Sequence, residues 1–261
     1  MKIIVSRQEL QAALLFASND DGRLVLNGVC LEVTPSCHKP TLITTDGRRL
    51  VVIQSQAEQA EEFNESCQII LAAAFVKPVV ALSKALGGKI FPWIQFENKA
   101  GSQQVRVEFI GGNATLDSES GALIEGVYPD WKKIVPSKKM ERTQINDLGI
   151  NAEFVGDFAR CAKIFDLNPV IQINLIAKES ALEVKLSGAE YFYGLIMPCK
   201  ADEETDYQPE FLQLIKDLPV VEKKTTPETE DEMEVIVDGK KKVKMTPTKL
   251  IEEIGKKFTK K

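Results

Sequence analysis

The chain has 261 residues, 44% of them hydrophobic, so it can fill the core of one large domain or two ordinary ones and is not disordered as a whole. Its formal net charge of −5 argues against a surface covered in positive charge for phosphate binding, although a ring or channel can hide Lys and Arg on an inner wall. The first residues lack the apolar core of a signal peptide, and no apolar run of about 18 residues occurs. We therefore expect a cytoplasmic protein that makes no membrane contact.

Signals for catalysis or metal binding are weak. The cysteines are odd in number and form no C-x-x-C pair, which indicates reduced core thiols rather than a zinc or redox site. The single histidine, His38, lies beside Cys37 in a polar loop that offers no sheltered pocket for a Cys–His dyad. No Gly-rich phosphate loop, H-E-x-x-H motif or nucleophile elbow occurs. The sequence thus predicts no enzyme, no catalytic residue, no metal and no cofactor.

The first part of the chain predicts a β-α-β-β-β unit. Residues 2–5 are a short apolar strand, and Ser6 with Glu9 forms a capping-box pattern at the start of a helix that reaches about Ala17. Apolar side chains on one stripe of this helix indicate a buried face. Three strand-like runs follow, at residues 23–33, 41–45 and 49–54.

The same order of elements returns twice. The second copy has a strand at 67–71, a helix near 74–86 and strands at 93–97, 105–110 and 114–118; Pro78 suggests that the helix begins later than Ala74. The third has a strand at 144–150, Asn151 as N-cap, a helix at 152–165, and strands at 170–177, 181–186 and 191–197. Three copies at a spacing of about 70 residues indicate an internally repeated α+β fold. The alternative is that this order of elements is simply common in α+β proteins.

The composition changes after residue 201. Residues 211–218 could form a short helix, and residues 222–234 are charged and linker-like. A hairpin at 234–244 around Asp238-Gly239 and a terminal helix at 247–258 with a Lys-rich end are predicted after it.

Three short segments carry a family resemblance. Leu26-Asn27-Gly28-Val29 followed by residues 42–50, LITTDGRRL, is similar to the "LNG…TDGHRL" segment in the middle domain of bacterial beta sliding clamps. Residues 128–136, YPDWKKIVP, resemble the "FPDYRRVLP" segment that closes that domain, and residues 195–199, LIMPC, resemble the "VVMPM" ending of the last domain. The resemblance covers about residues 1–200, with Arg48 where the family commonly has His and Cys199 where it commonly has Met.

This resemblance implies an α+β DNA-clamp fold of repeated β-α-β-β-β units, with helices lining a ring and antiparallel sheets outside. Residues 1–137 would correspond to the family's middle domain, 138–201 to its last unit, and 202–261 to a divergent charged tail. The family's first domain has no counterpart. Family rings contain six two-unit domains, so a chain of this length favours a homotrimer over a homodimer if the tail completes a second domain.

The resemblance also implies a hydrophobic groove that binds short motifs of DNA polymerase, the clamp loader and other partners. An apolar slot would bury peptide anchors while Arg or Lys at its rim fixes polar ends. The alternative is that these residues are ordinary strand residues and a turn. The implied groove residues are Arg23, Leu26, Thr45, Gly47, Arg48, Arg49, Leu50, Pro129, Lys133, Ile134, Leu195, Met197 and Pro198.

In a clamp, the helices hold cations near the phosphates of double-stranded DNA without reading bases. Taken singly, each such residue could also be a solvated surface charge. The predicted DNA-facing residues are Arg7, Gln11, Lys77, Lys84, Lys89, Arg160 and Lys163. The function predicted from the resemblance is a DNA sliding clamp, or polymerase processivity factor. The rival is a clamp-like adaptor or decoy that binds replication proteins but forms no closed ring.

Overall fold

The structure, a computed structural model, divides the chain into two compact units, Met1–Glu203 and Glu204–Lys261. Their boundary lies close to the predicted boundary after residue 201. Whether residues 1–137 and 138–201 correspond to separate family domains stays a prediction, and both ranges lie within the first unit. The residues that the structure describes are 1–35, 37–59, 64–87, 92–99, 102–111, 114–136, 148–175, 180–199, 233–237 and 241–245.

The first repeat has the predicted β-α-β-β-β order. Its helix begins at a capping box, in which the Ser6 hydroxyl accepts from the Glu9 N–H at 3.0 Å and the Glu9 carboxylate accepts from the Ser6 N–H at 2.8 Å. The expectation of a strand from Arg23 was wrong, because Asp20 caps a 3-10 helix over Asp21–Leu26 by accepting from the Gly22 N–H at 2.9 Å. The elements are β1 (Lys2–Ser6), α1 (Arg7–Leu14), β2 (Gly28–Thr34), β3 (Cys37–Thr45) and β4 (Arg49–Gln54).

The second repeat follows the same order, but its helix starts earlier than expected. It begins at Ala73 and contains Pro78 in its interior. Pro78 has no N–H to donate to the Ala74 carbonyl. Ala74 and Pro78 are both solvent-exposed, so water can form the missing hydrogen bond. The elements are β5 (Cys67–Ala72), α2 (Ala73–Ala85), β6 (Trp93–Asn98), β7 (Gln104–Gly111) and β8 (Ala114–Ala122).

The third repeat contributes one helix and three strands. Its predicted N-cap is confirmed, since the Asn151 side chain accepts from the Glu153 N–H at 2.9 Å. Of the strand predicted at 144–150, residues 148–150 are described and Gly149 bridges to Cys199; the rest lies outside the described residues. The elements are α3 (Ala152–Ile164), β9 (Ile171–Asn174), β10 (Leu182–Leu186) and β11 (Phe192–Ile196).

Strand exchange joins the repeats into two antiparallel sheets. The four-stranded sheet has the order β1-β6-β7-β8, and the seven-stranded sheet has the order β5-β2-β3-β4-β11-β10-β9. The first and second repeats therefore swap their first strands, because β1 pairs with β6 and β5 pairs with β2. The third repeat extends the larger sheet through the pairing of β11 with β4. The predicted α+β class is confirmed.

The seven-stranded sheet separates two hydrophobic clusters. Val51 and Ile53 belong to the larger cluster, which also contains residues of all three helices, whereas Leu50 and Val52 belong to the smaller cluster. This alternation follows from the two-residue period of a strand. The larger cluster is tightly packed where the third repeat joins it: a Cβ at Gly194 would collide with the ring of Phe158.

The second unit is described at one hairpin. Its strands, β12 (Met233–Val237) and β13 (Lys241–Met245), pair antiparallel, which confirms the predicted hairpin. Its turn and the helices predicted at 211–218 and 247–258 lie outside the described residues, as does most of the predicted linker. In the part of the chain that the structure describes, no helix has the length and apolarity needed to cross a membrane.

Candidate partner-binding surface and helical layer

Three predicted groove residues from separate segments meet in the smaller hydrophobic cluster. Leu26, Leu50 and Leu195 are all buried there, together with Tyr128. Leu50 and Leu195 face each other in the register of the β4–β11 pair. We call these four residues the floor. The structure therefore brings together the three chain segments that carry the family resemblance.

Tyr128 holds the segment after β8 to the turn between β3 and β4. Its hydroxyl accepts a hydrogen bond from the Thr45 N–H at 3.0 Å. The Thr45 hydroxyl in turn donates to the Arg49 carbonyl at 2.6 Å and accepts from the Gly47 N–H at 3.0 Å. Burial raises the pKa of Tyr128 well above its usual range, so the phenol stays neutral. The position of the turn is thus fixed by buried hydrogen bonds.

The turn itself is organised by Asp46 and Gly47. The Asp46 carboxylate accepts from the N–H groups of Arg48 and Arg49, each at 2.9 Å, and from the Arg49 Nε at 2.9 Å. Burial raises the pKa of Asp46, and the hydrogen bond from the Arg48 backbone opposes that rise. Gly47 has a φ of +87°, and a Cβ there would lie 2.9 Å from Nη1 of Arg23. The guanidinium of Arg23 therefore lies directly against Gly47.

Three exposed apolar side chains lie one or two positions from floor residues along the chain. Met197 is 40% exposed, and its N–H donates to the Arg48 carbonyl at 2.7 Å. Leu24 and Val127 are exposed by 64% and 86%, and their chain segments touch, since a Cβ at Gly126 would lie 2.6 Å from Cγ1 of Val25. We call Leu24, Val127 and Met197 the rim. Isolated exposed apolar residues are ordinary, so a role of these three in partner binding stays a prediction.

The side chain of Arg49 lies on the opposite face of the sheet from the floor, against Phe16 of the larger cluster. Its guanidinium forms an ion pair with Asp157 of α3, donates to the Leu15 carbonyl at 3.1 Å, and lies 4.7 Å from the ring centroid of Phe154. These contacts tie the first repeat to the third. They leave Arg49 turned away from the floor.

The remaining predicted groove residues are exposed or half-buried. Pro129 is exposed and Pro198 is half-buried. Ile134 is 49% exposed, and the exposed Lys133 pairs with Asp130 at 3.4 Å. Their place in a groove stays a prediction.

The three helices form one layer with a surplus of exposed positive charge. Helix α1 contacts both α2 and α3. Arg7 is half-buried and donates to Gln11 at 3.0 Å. Within these three helices, Glu153 is the one exposed acidic residue, because Glu9 and Asp157 are buried. The exposed cations are Lys77, Lys84, Arg160 and Lys163, while Lys89 lies outside the described residues.

Comparison with solved structures identifies this arrangement. The DNA polymerase III beta subunit from Thermotoga maritima matches with a TM-score of 0.56 and 16% identity, covering 77% of this chain and 66% of that chain. The chain has the fold of bacterial beta sliding clamps. The beta clamp of Helicobacter pylori bound to a DNA ligase peptide gives a TM-score of 0.58 at 14% identity, with 77% and 66% covered. The DNA polymerase III beta subunit from Borrelia burgdorferi, in complex with a natural product, gives a TM-score of 0.55 at 16% identity. The match covers 77% of this chain and 64% of that chain.

The resemblance noted in the sequence is thereby confirmed at the level of the clamp fold. The chain spans about two thirds of the length of these sliding clamps, between 64% and 66% in the three structures. No protein-family model and no curated protein sequence matches the chain.

The clamp fold reveals one floor residue that sequence reasoning missed. Tyr128 begins the segment that resembles the family, but it was left out of the predicted groove. Tyr128 contacts Thr45, which lies 83 positions earlier in the chain, and no local sequence pattern shows such a contact.

A concave feature lies at the edge of the larger sheet, beside β2 and β5. It is a depression of about 400 Å³ crossed by the ion pair between Lys132 and Glu32 at 2.7 Å. Among the described residues, no cluster of His, Cys, Asp or Glu could hold a metal ion. The depression is lined by Glu32, Val33, Thr34, Ser66, Cys67, Gln68 and Lys132.

Proposed function

We propose that the chain is a non-enzymatic DNA sliding clamp that tethers DNA polymerase and other replication proteins to duplex DNA. The observation that carries this proposal is the clamp fold combined with two separate surfaces. One surface is the apolar rim and floor, and the other is the cationic helical layer. We also propose that the clamp loader and other proteins with a clamp-binding motif bind this chain, and that it acts in the cytoplasm.

The helical layer suits sequence-independent contact with DNA. Arg7, Lys77, Lys84, Arg160 and Lys163 offer point charges to phosphates, and phosphate contacts position a protein without specifying a sequence. Arg160 shares the buried Asp157 with Arg49, so part of its charge is already offset. The other cations belong to side chains that extend from a helix surface. The net charge of −5 keeps the rest of the molecule from attracting DNA.

A homotrimer is the proposed ring, because the chain spans about two thirds of the solved clamps. Three such chains supply about the same length as two of the longer ones. This requires Glu204–Lys261 to contribute to a second domain or to a subunit interface.

A clamp-like adaptor or decoy that forms no ring is the second candidate. It is favoured by the odd number of repeats in the described residues, where the third repeat has no second unit with which to exchange a strand. Such a module would keep the apolar surface but could not encircle DNA.

Retention on DNA of different topology separates these candidates. A closed ring remains on closed circular DNA at salt concentrations that remove simple electrostatic binders, and it escapes when the circle is linearised. Clamp-loading proteins from a bacterial replication system are supplied in both arms, and retained protein is measured by gel filtration. Loss from closed and linear DNA at the same low salt concentration would contradict the ring and support the adaptor.

A further inference from the structure

The first strand of each repeat is held in the same way by the chain that follows the last strand of that repeat. In all three repeats the backbone carbonyl three residues before the helix accepts a hydrogen bond from that chain. The pairs of acceptor and donor residues are Ile4 with Gln59, Ile70 with Ile124, and Gly149 with Cys199, each at 2.9 Å. Residues 148–150 therefore take the place in the third repeat that β1 and β5 take in the first two.

The other edge of this first strand is paired in two repeats and open in the third. β1 pairs with β6 and β5 pairs with β2, so each first strand joins the strand that follows the helix of the neighbouring repeat. Within the described residues, no strand lies on the outer edge of residues 148–150, and β9 pairs with β10 alone. We call residues 148–150 and β9 the open edges.

The backbone groups of β9 that face outward follow from its pairing with β10. The Ser187 N–H donates to the Val170 carbonyl at 3.1 Å, so these two residues form a hydrogen-bonded pair in the β9–β10 register. In antiparallel strands such pairs recur at every second residue. The N–H and C=O groups of Ile171 and Ile173 therefore face away from β10.

Residues 148–150 present complementary groups. Because the Gly149 carbonyl is turned towards its own repeat, the N–H and C=O groups of Leu148 and Ile150 face outward. An antiparallel pairing of the open edges then joins Leu148 to Ile173 and Ile150 to Ile171. Each of these pairs would exchange two backbone hydrogen bonds.

Burial and charge also mark the third repeat as incomplete. Where β1 and β6 exchange, Val5 and Ile94 face each other and both are 0% exposed. The residues of the open edges include no charged side chain, although charge is a common means of protecting an unpaired edge. Their apolar residues pack against the larger cluster but are only half-buried: Leu148, Ile150, Ile171 and Ile173.

We propose that two copies of the chain pair through the open edges, with residues 148–150 of each copy lying against β9 of the other. The pairing repeats the strand exchange that joins the first and second repeats. It is self-complementary, as a two-fold contact requires. Such a pair contains six repeats and gives an even-numbered assembly, whereas chain length alone favours a homotrimer. The pairing depends on neither the partner surface nor the DNA surface.

The mass of the full chain in solution is the first test. Sedimentation equilibrium should give twice the mass of one chain, or four times that mass if two pairs close a ring. The mass of one chain at the highest soluble concentration, or the mass of three chains, would overturn the pairing.

A disulfide trap tests the register. Gly149 and Gln172 stand opposite each other in the proposed pairing and exchange no hydrogen bond, which brings their side chains close enough for a disulfide. In a Cys199→Ser background, Gly149→Cys combined with Gln172→Cys should link two copies on oxidation, as seen by non-reducing electrophoresis. Gly149→Cys combined with Asn174→Cys moves one thiol by two residues and should link far less. Equal linking by both combinations would contradict the register.

A backbone substitution tests the hydrogen bonds themselves. Ile173→Pro removes an outward N–H that β10 does not use, whereas Ile173→Ala removes most of the side chain and keeps the N–H. We expect Ile173→Pro to weaken self-association about tenfold more than Ile173→Ala does, because the bond is lost at both copies of the two-fold contact. Circular dichroism melting confirms that both variants fold. Equal self-association of the two variants would overturn the pairing.

Hydrogen exchange distinguishes the other ways in which the edge of β9 could be covered. In the pair, the N–H groups of Ile171 and Ile173 should exchange slowly, and faster on dilution to single chains. Slow exchange in a chain that sediments alone would show that other residues of the same chain cover β9, and fast exchange would show that β9 is uncovered. Either result overturns the pairing and leaves the proposed partner and DNA surfaces untouched.

Discussion

Arg49 of the first repeat forms an ion pair with Asp157 of the third repeat, and the two side chains are only 13% and 6% exposed. The guanidinium also reaches Asp46, the Leu15 carbonyl and the aromatic ring of Phe154. One side chain therefore links the turn beside the rim to the helix that carries part of the cationic layer. Asp157 has a second partner in Arg160, whose side chain is 62% exposed.

Replacing Arg49 should destabilise the fold strongly. Arg49→Ala leaves a buried carboxylate without its buried partner, and we expect a loss of about 3–5 kcal/mol in unfolding free energy. Arg160→Ala removes the exposed partner of the same Asp157 and should cost no more than about 1 kcal/mol. Urea denaturation measures both. Similar losses for the two variants would show that burial does not decide the strength of this network.

Met197 and Leu50 should respond differently to truncation. Met197 is 40% exposed, so Met197→Ala should weaken binding of a clamp-binding peptide by about 1–3 kcal/mol while leaving stability nearly unchanged. Leu50 is 1% exposed, so Leu50→Ala should lower the unfolding free energy by about 2–5 kcal/mol. Calorimetric titration and thermal melting together distinguish the effects. Unaltered peptide binding by Met197→Ala would remove Met197 from the partner surface.

The hydroxyl of Tyr128 should matter for stability. In Tyr128→Phe the buried N–H of Thr45 loses its acceptor, which costs about 1–3 kcal/mol. Tyr193→Phe is the matched control, because the Tyr193 hydroxyl donates to Glu183 at a half-buried position and its loss should cost less. Chemical denaturation of the two variants provides the comparison. A smaller loss of unfolding free energy for Tyr128→Phe than for Tyr193→Phe would contradict the role of the Tyr128 hydroxyl in fixing the turn between β3 and β4.

Stability should fall in alkaline solution because of two buried thiols. Burial raises the pKa of Cys30 and of Cys161 from 9.0 to about 12 each. Below pH 9 both thiols are protonated in the folded and unfolded states, and their contribution is fully present. As the pH rises towards 12, the unfolded chain releases these protons first, so unfolding becomes easier by up to about 1.4 kcal/mol per pH unit for each thiol.

A variant with Cys30→Ala and Cys161→Ala should show a shallower decline over this pH range, although cavities make it less stable at neutral pH. Unfolding free energies measured from neutral pH to about pH 11 test this, since the slope and the starting value are read separately. Parallel curves for wild type and variant would show that other groups cause the alkaline loss.

Removing residues 204–261 should leave the first unit folded. Met1–Glu203 forms a compact unit whose larger cluster draws on all three repeats. If the second unit contributes to the proposed homotrimer, the shortened chain should have the mass of one subunit by light scattering while it still unfolds cooperatively. An unchanged oligomer would show that the ring, where present, closes through the first unit.

Features that arise from residues close along the chain could be predicted from the sequence alone. Ser6 with Glu9, Asn151 before α3, and the β12–β13 hairpin were all predictable, because their hydrogen bonds join residues close along the chain. The prediction of a strand from Arg23 was wrong even though the sequence contained a local signal for a helix, because Asp20 is the N-cap of the 3-10 helix. The resemblance of three short segments also indicated the fold that the solved structures confirm.

The pairing of the strands and the contacts of each face of the larger sheet depend on residues that are distant in the chain. The exchange of β1 and β5 joins residues more than thirty positions apart, and no local pattern specifies such a pairing. Arg49 shows the consequence for the candidate site. Arg49 and Leu50 are neighbours on β4, so their side chains point to opposite faces of the sheet. Asp157 of α3 supplies the carboxylate that holds the Arg49 side chain on the face opposite the floor. Its role follows from Asp157, a residue of another repeat that reaches Arg49 only when β11 pairs with β4.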